Sequence, residues 1–341
     1  MGYPVTREAA LSDPLLEIDS LSLGFRQGKT TRETLSRVCF QVRKGEIRCL
    51  VGESGCGKSV TGLSIPGLLP PQARLLGGRI LFHGRDLTQL SEEELDAVRG
   101  KSIAMIFQDI MGSLNPVLTV GRQMTEGMRR HLGLTAREAS ERAVELMRKC
   151  GIPNPENTMK RFPHMLSGGQ RQRVMIAMAL SCSPELLIAD EPTTALDVTV
   201  QLQILQLLTR LREESGMAIL FITHDFGVVA EIADRVTVMY AGQCVEDAPK
   251  DVLLSAPAHP YTQALLRSVP DLRDDGKRTL YAIPGTVPQD WSRIPGCRFA
   301  PRCPYRRSAC ETAAVPMAAA AEGHCVRCLF PVPFGKEAAE G

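Results

Sequence analysis

Residues 52–59 read Gly-Glu-Ser-Gly-Cys-Gly-Lys-Ser, the G-x-x-x-x-G-K-[ST] pattern of a phosphate-binding loop. Its glycines, Gly52, Gly55 and Gly57, let the backbone curl so that successive N–H groups face one anion. Glu53, Ser54 and Cys56 complete the cradle. Lys58 would reach the β- and γ-phosphates of a nucleotide, and Ser59 would ligate Mg²⁺. Val60 begins a helix whose N-terminal dipole favours phosphate. A second set ends the apolar run 186–189. There Asp190 can hold Mg²⁺ through water, and Glu191 is placed to orient or deprotonate a water for attack on the γ-phosphate. The plainer alternative is an acidic pair capping the next helix. Gln108 ends the apolar run 103–107, where α/β sheets place ligand contacts. It could touch Mg²⁺ or the attacking water, or make a loop hydrogen bond. His224 follows the apolar run 218–222 and could bond to the γ-phosphate, or be structural. Ser167, Gly168, Gly169 and Gln170 open an apolar helix, a second candidate anion site. Phe25, upstream of the loop, could stack on adenine or pack in the core.

A different chemistry resides in the cysteines. There are eleven, and Cys297, Cys303, Cys310, Cys325 and Cys328 crowd together. In a cytosolic protein such crowding points to metal in place of disulfides. Cys297, Cys303 and Cys310 are separated by five and six residues, and Cys328 follows a longer gap. Four thiolates suit either [4Fe–4S] or Zn²⁺, with free thiols as the third reading. Structural zinc sites usually use closer pairs, a spacing found here only at Cys325/Cys328, so the wider spacing, together with the family resemblance given below, favours iron–sulfur.

These groups need a scaffold. The chain has 341 residues, enough for a large core and about two domains. It is 44% hydrophobic and 23% charged, as in an ordinary globular protein. A net charge of +2 argues against an extended nucleic-acid surface. No apolar run approaches the ~18–20 residues needed to cross a bilayer. The N-terminus lacks a secretory signal pattern. Strands are expected at 15–25, 38–42, 47–51, 77–84, 103–107, 185–192 and 218–222, with a closing hairpin over 236–246. Helices are expected from 60 and 91, through most of 117–160, and at 174–180, 200–214 and 260–266. Residues 1–14 read as loose, 195–197 as a turn, 267–296 as irregular and the tail from 331 as frayed.

The phosphate loop, Gln108, Leu166–Gln170, Leu186–Glu191, Ala195–Asp197 and His224 stand in the order of an ABC ATPase, and the chain resembles that family over 15–266. The resemblance implies an α/β P-loop NTPase core with an antiparallel β subdomain and a helical subdomain inserted at about 109–183. It also implies two such domains paired head to tail, each ATP lying between one phosphate loop and the partner's Ser-Gly-Gly turn. It counts Ser167–Gln170 and Asp197 among the nucleotide contacts. The stretches 51–60, 105–109, 113–116, 191–197 and 259–262 look like the oligopeptide/dipeptide importer ATPases. Gly296–Pro304 is similar to that group's C-terminal extension, here 267–341, with Cys297, Cys303, Cys310 and Cys328 as the implied cluster ligands and Cys325 as an extra cysteine that could substitute. Met105–Gln108 and Pro192–Asp197 favour the D-type subunit. Ile110, Gln170 and Cys56 depart from the usual Pro, Met and Ser.

This likeness implies ATP and Mg²⁺ as cofactors, with [4Fe–4S] or Zn²⁺ in the extension. The implied partners are a non-identical F-type ATPase, two transmembrane permeases and an extracytoplasmic binding protein, but no nucleic acid. The implied location is peripheral, on the cytoplasmic face of the inner membrane. The 108–116 loop would contact the permease. Nickel or glutathione are alternative cargoes. A soluble ABC ATPase of translation or DNA repair is the alternative class, although those usually carry two cassettes or a coiled-coil insertion. A third reading makes the cysteines a redox sensor.

Overall fold

In the computed structural model the described residues are 13–194, 197–269, 281–288, 290–291 and 294–333. The loose start before residue 13, the turn residues Ala195 and Leu196, much of the irregular stretch 267–296 and the end of the tail lie outside them. The chain forms two compact units. One holds 1–43, 47–88 and 223–341; the other holds 44–46 and 89–222.

In chain order the elements are β1 (Leu16–Gln27), β2 (Thr30–Val42), β3 (Ile47–Val51), α1 (Lys58–Ser64), β4 (Ala73–Phe82), β5 (Arg85–Asp86) and α2 (Glu92–Val98). Then come β6 (Ile103–Ile106), α3 (Ile110–Ser113), α4 (Val120–Leu132), α5 (Ala136–Lys149), α6 (Pro155–Thr158), α7 (Gly168–Ala179), β7 (Leu186–Asp190), α8 (Val198–Ser215) and β8 (Ala218–Thr223). The chain continues with α9 (Phe226–Ile232), β9 (Arg235–Tyr240), β10 (Gln243–Pro249), α10 (Lys250–Ser255) and α11 (Pro260–Arg267). Last come α12 (Ser308–Thr312), β11 (Ala318–Ala321) and β12 (His324–Val326).

In the first unit β2-β1-β4-β5 form an antiparallel sheet. Alternation along β1 buries Leu16, Ile18, Leu21 and Leu23. The period slips between Ile18 and Leu21, where Ser20 takes φ 54° and the pairing with both neighbours shifts register, as at a bulge. The expected strand at 77–84 is longer and begins earlier, at Ala73.

The same unit places β3 parallel to β9, and β9 antiparallel to β10. The all-buried β3 suits a strand covered on both faces. Its one charged side chain, Arg48, meets Asp247 of β10 at 2.8 Å and donates to Thr237 of β9 at 2.9 Å. Arg235 reaches the same carboxylate at 3.3 Å. Buried charge is tolerated here because it is paired and hydrogen-bonded.

Past the stretch expected to be irregular, two strands form for which the sequence reading made no assignment. Strand β12 pairs antiparallel with β10, and β11 with β12. Beneath this join, buried Glu246 accepts from the amides of Ala258 and His259 at 2.6 and 3.0 Å. The Nε2 atom of His324 meets the same carboxylate at 2.7 Å.

In the second unit β6, β7 and β8 run parallel. Both β7 and β8 are buried throughout, as continuous apolar runs require. The expected helical stretch is α4, α5 and α6. Thr119 caps α4, and Thr135 with Glu138 closes a capping box on α5. Met124 and Met128 of α4, with Ala139, Ala143 and Met147 of α5, lie on the buried faces.

Candidate nucleotide site

In the first unit the phosphate loop links β3 to α1. Gly52 has φ 151°, and a Cβ there would fall 2.2 Å from the Met239 carbonyl oxygen. Gly57 has φ 107° at the N-cap of α1, and a Cβ would fall 2.5 Å from Leu35. Gly52 is therefore required by close approach to backbone as well as by its angle, whereas Gly55 (φ 80°) and Gly57 are required chiefly by their backbone angles. Cys56 is fully buried, and burial pushes its thiol up, so it packs as a neutral residue. Ser54 and Gly55 are exposed, and Ser59 and Val60 are half-buried at the start of α1. Lys58 is 5% exposed. Its Nζ donates to the carbonyls of Gly52 at 2.7 Å and Glu53 at 3.1 Å, which lays the ammonium across the mouth of the loop.

Glu53 differs from a simple cradle residue. Its amide donates to the Tyr261 hydroxyl at 2.9 Å, and its carboxylate is held by Arg302. Phe25 is half-buried near the end of β1, opposite Arg32 of β2 and Ala73 of β4, and is not one of the fully buried core side chains. His224 is exposed just past β8. The next residue, Asp225, caps α9 by accepting from the Gly227 amide at 2.7 Å.

In the second unit Asp190 ends β7 and is 4% exposed. Glu191 follows with φ 46°, a left-handed conformation that a non-glycine residue holds at a cost of about 1–3 kcal/mol. The Glu191 amide donates to the Ile222 carbonyl at 3.0 Å. One carboxylate oxygen, Oε2, accepts from Gln108 Nε2 at 3.1 Å and from Thr194 Oγ1 at 3.0 Å. The structure thus brings together two candidates 83 residues apart, and the carboxylate is aimed by two donors. Thr194 and the strained backbone had no distinguishing signal in the sequence.

Ser167 is the N-cap of α7. The Gln170 amide donates to Ser167 Oγ at 3.3 Å, and the Ser167 amide donates to Gln170 Oε1 at 3.2 Å. Ser167 and Gly168 are exposed, and a Cβ on Gly168 would meet nothing within 4 Å. Gly169 and Gln170 are half-buried. Asp197 is exposed and caps α8, accepting from the Val200 amide at 2.9 Å.

The cysteines form a separate site in the first unit. Cys297, Cys303, Cys310 and Cys328 line one small cavity together with His259, Phe299 and Phe330. Cys325 is buried in β12 opposite Asp247 and is not part of that lining. Burial, and then the neighbouring thiols, push Cys303 up to about 12 and Cys328 up to about 11. Among the described residues no three His, Cys, Asp or Glu side chains close into a metal-ligand arrangement. The four thiols therefore share a cavity without forming a coordination shell. The aromatic cluster beside it, Tyr240, Tyr261, His259 and Phe299, packs with ring centroids 4.6–5.9 Å apart. None of these aromatic residues was singled out from the sequence as part of a site.

A phosphate loop before a helix, an acidic pair at the end of a parallel strand, and a capped Ser-Gly-Gly helix start define a P-loop ATPase of the cassette type. An ABC transporter model matches residues 35–194, and a model of the oligopeptide/dipeptide transporter C-terminal region matches 245–310. A probable peptide ABC transporter ATP-binding protein, y4tR of Sinorhizobium fredii, is 50% identical over 318 residues, covering 93% of this chain and 95% of that one. The oligopeptide transport ATP-binding protein AppD of Bacillus subtilis is 49% identical over 95% of this chain and 98% of its own. The dipeptide transport ATP-binding protein DppD of Escherichia coli is 45% identical over 93% and 97%. Among solved structures, the dimeric ABC transporter cassette MJ0796 matches with a TM-score of 0.62 at 27% identity, covering 69% of this chain and 98% of that one. The chain belongs to the ABC transporter family of ATP-binding proteins. Among the described residues no helix is long and apolar enough to cross a membrane.

Proposed function

We propose that the chain is the ATP-hydrolysing subunit of an importer that brings oligopeptides or dipeptides across the inner membrane, docked on its cytoplasmic face. The match of 245–310 to the oligopeptide/dipeptide transporter C-terminal region carries the choice of cargo class. The Gln108–Glu191 hydrogen bond carries the choice of catalytic group. Lys58 and the loop Gly52–Val60 bind the triphosphate, with Phe25 against the base. Ser59, Gln108 and Asp190 would hold Mg²⁺, which would supply charge neutralisation for the triphosphate. Glu191 takes the proton of the attacking water. Its left-handed backbone and two donors hold the carboxylate in one orientation before reaction begins. His224 contacts the γ-phosphate.

The self-capped Ser167–Gln170 turn, exposed at Ser167 and Gly168, and Asp197 serve the ATP of a second cassette, so closure of two cassettes around nucleotide is the step that ATP drives. The partner cassette is an F-type homologue, and two permeases and a binding protein complete the importer. The 108–116 loop passes cassette closure to a permease.

In residue type the four thiols on one cavity suit a soft metal group, although they are not drawn together into a coordination shell. Cys297, Cys303, Cys310 and Cys328 would hold a [4Fe–4S] cluster, or Zn²⁺ in its place. Such a group would cross-link a segment that has little apolar core of its own. Co-purification of the chain with two integral membrane subunits, and peptide-stimulated ATP hydrolysis by that complex, is the expected result. A chain that instead co-purifies with ribosomes or DNA and no membrane subunit would overturn the proposal.

A further inference from the structure

The extension reaches the phosphate loop directly. Arg302 stands one residue before Cys303, and its side chain is 4% exposed. Its two terminal nitrogens donate to the two carboxylate oxygens of Glu53 at 2.8 and 3.0 Å. Its Nε donates to the Pro284 carbonyl at 2.8 Å, which fixes the plane of the guanidinium. The rings of Tyr240 and Phe299 lie 5.8 and 6.0 Å from it. Glu53 is thus held at three points: its carboxylate by Arg302, its amide by Tyr261 and its carbonyl by Lys58. A second arginine works from the other flank. Arg298, next to Cys297, donates to the Ala241 carbonyl, and the adjacent Gly242 amide donates to the Cys56 carbonyl at 2.9 Å.

A carboxylate inside a phosphate loop would repel a bound triphosphate unless its charge is cancelled. An arginine fork cancels it and sets its orientation at once. We propose that Arg302 is a positioning residue for the phosphate loop. It neutralises Glu53 and fixes the loop's first turn, so that the C-terminal extension is a working part of the nucleotide site. The inference rests on reading Gly52–Ser59 as the triphosphate site. It also makes ATP affinity sensitive to the order of the cysteine segment, because Arg298 and Arg302 each adjoin a cavity-lining cysteine.

The test is titration of the full-length chain with a fluorescent N-methylanthraniloyl-ATP, alongside thermal unfolding. Arg302→Gln should weaken binding by about tenfold. Glu53→Gln/Arg302→Gln should bind more tightly than Arg302→Gln alone, since no carboxylate remains to repel the phosphates. Arg302→Lys keeps the charge but not the fork, and should lose an intermediate amount. Unchanged affinity in both Arg302 variants would overturn the proposal. So would equal affinities for the double variant and Arg302→Gln, which is what a merely structural arginine predicts. Lys58→Ala is the control: if it still binds the probe normally, the phosphate-loop reading fails, and not the role of Arg302.

Discussion

Glu191 concentrates the residue-scale argument. It combines a left-handed φ of 46° with two side-chain donors on a single carboxylate oxygen. Strain of this kind persists only where the surroundings over-determine the conformation. Glu191→Gln keeps the shape and removes the base. ATP should still bind, while hydrolysis by the assembled transporter should fall by at least ~10²-fold. Near-normal turnover would remove Glu191 from the mechanism. Lys58 is the motif's one cation, and its ammonium already bridges the carbonyls of Gly52 and Glu53. Lys58→Ala should weaken nucleotide binding and abolish turnover, as read by nucleotide titration and phosphate release.

At the scale of elements, helix starts hold the residues proposed for the second half of the site. Helix α7 satisfies its own first turn through the Ser167–Gln170 capping box, which leaves the Ser-Gly-Gly surface open. Gln170 has a physical use here, because a methionine could not return the hydrogen bond to the Ser167 amide. Ser167→Arg fills that open surface while leaving Lys58 untouched. Paired with a non-identical cassette, the variant should bind ATP at its own loop and depress hydrolysis at the partner's. Loss of its own ATP binding in a folded variant would contradict the composite arrangement. Helix α5 offers a stability counterpart. Thr135→Ala removes its capping box and should cost about 1 kcal/mol in denaturant unfolding, without changing ATP affinity.

On the scale of the whole molecule, the described residues of 294–333 are built into the first unit. They join β10 through β12, pack Phe299 among Tyr240, Tyr261 and His259, and send Arg302 to Glu53. Chain purified without oxygen should be brown, with broad absorbance near ~400 nm and about four irons per chain. Cys303→Ser should bleach it and loosen the extension. A colourless preparation with one tightly bound zinc per chain would assign the thiols to zinc instead.

Local chemistry was legible without a structure wherever one short segment contains its own reason. The phosphate loop needs its glycines, its lysine and the helix after it, and all lie within 52–64. The buried strands β6, β7 and β8 announce themselves as apolar runs, as does β3 apart from Arg48, and Gln108, Asp190 and His224 fall at or just beyond the ends of β6, β7 and β8. What sequence reading did not supply are the contacts between distant segments. Nothing in 297–304 says that Arg302 meets Glu53, 249 residues earlier. Nothing in 318–326 says that a weakly patterned stretch of small residues will extend a sheet, because its pairing partner β10 and the Glu246 carboxylate that His324 meets lie far earlier in the chain, Glu246 by 78 residues. Spacing and residue type decided which groups could do chemistry. Tertiary packing decided which of them are held, aimed and neutralised, because hydrogen bonds and charge cancellation depend on distances that the chain acquires only on folding.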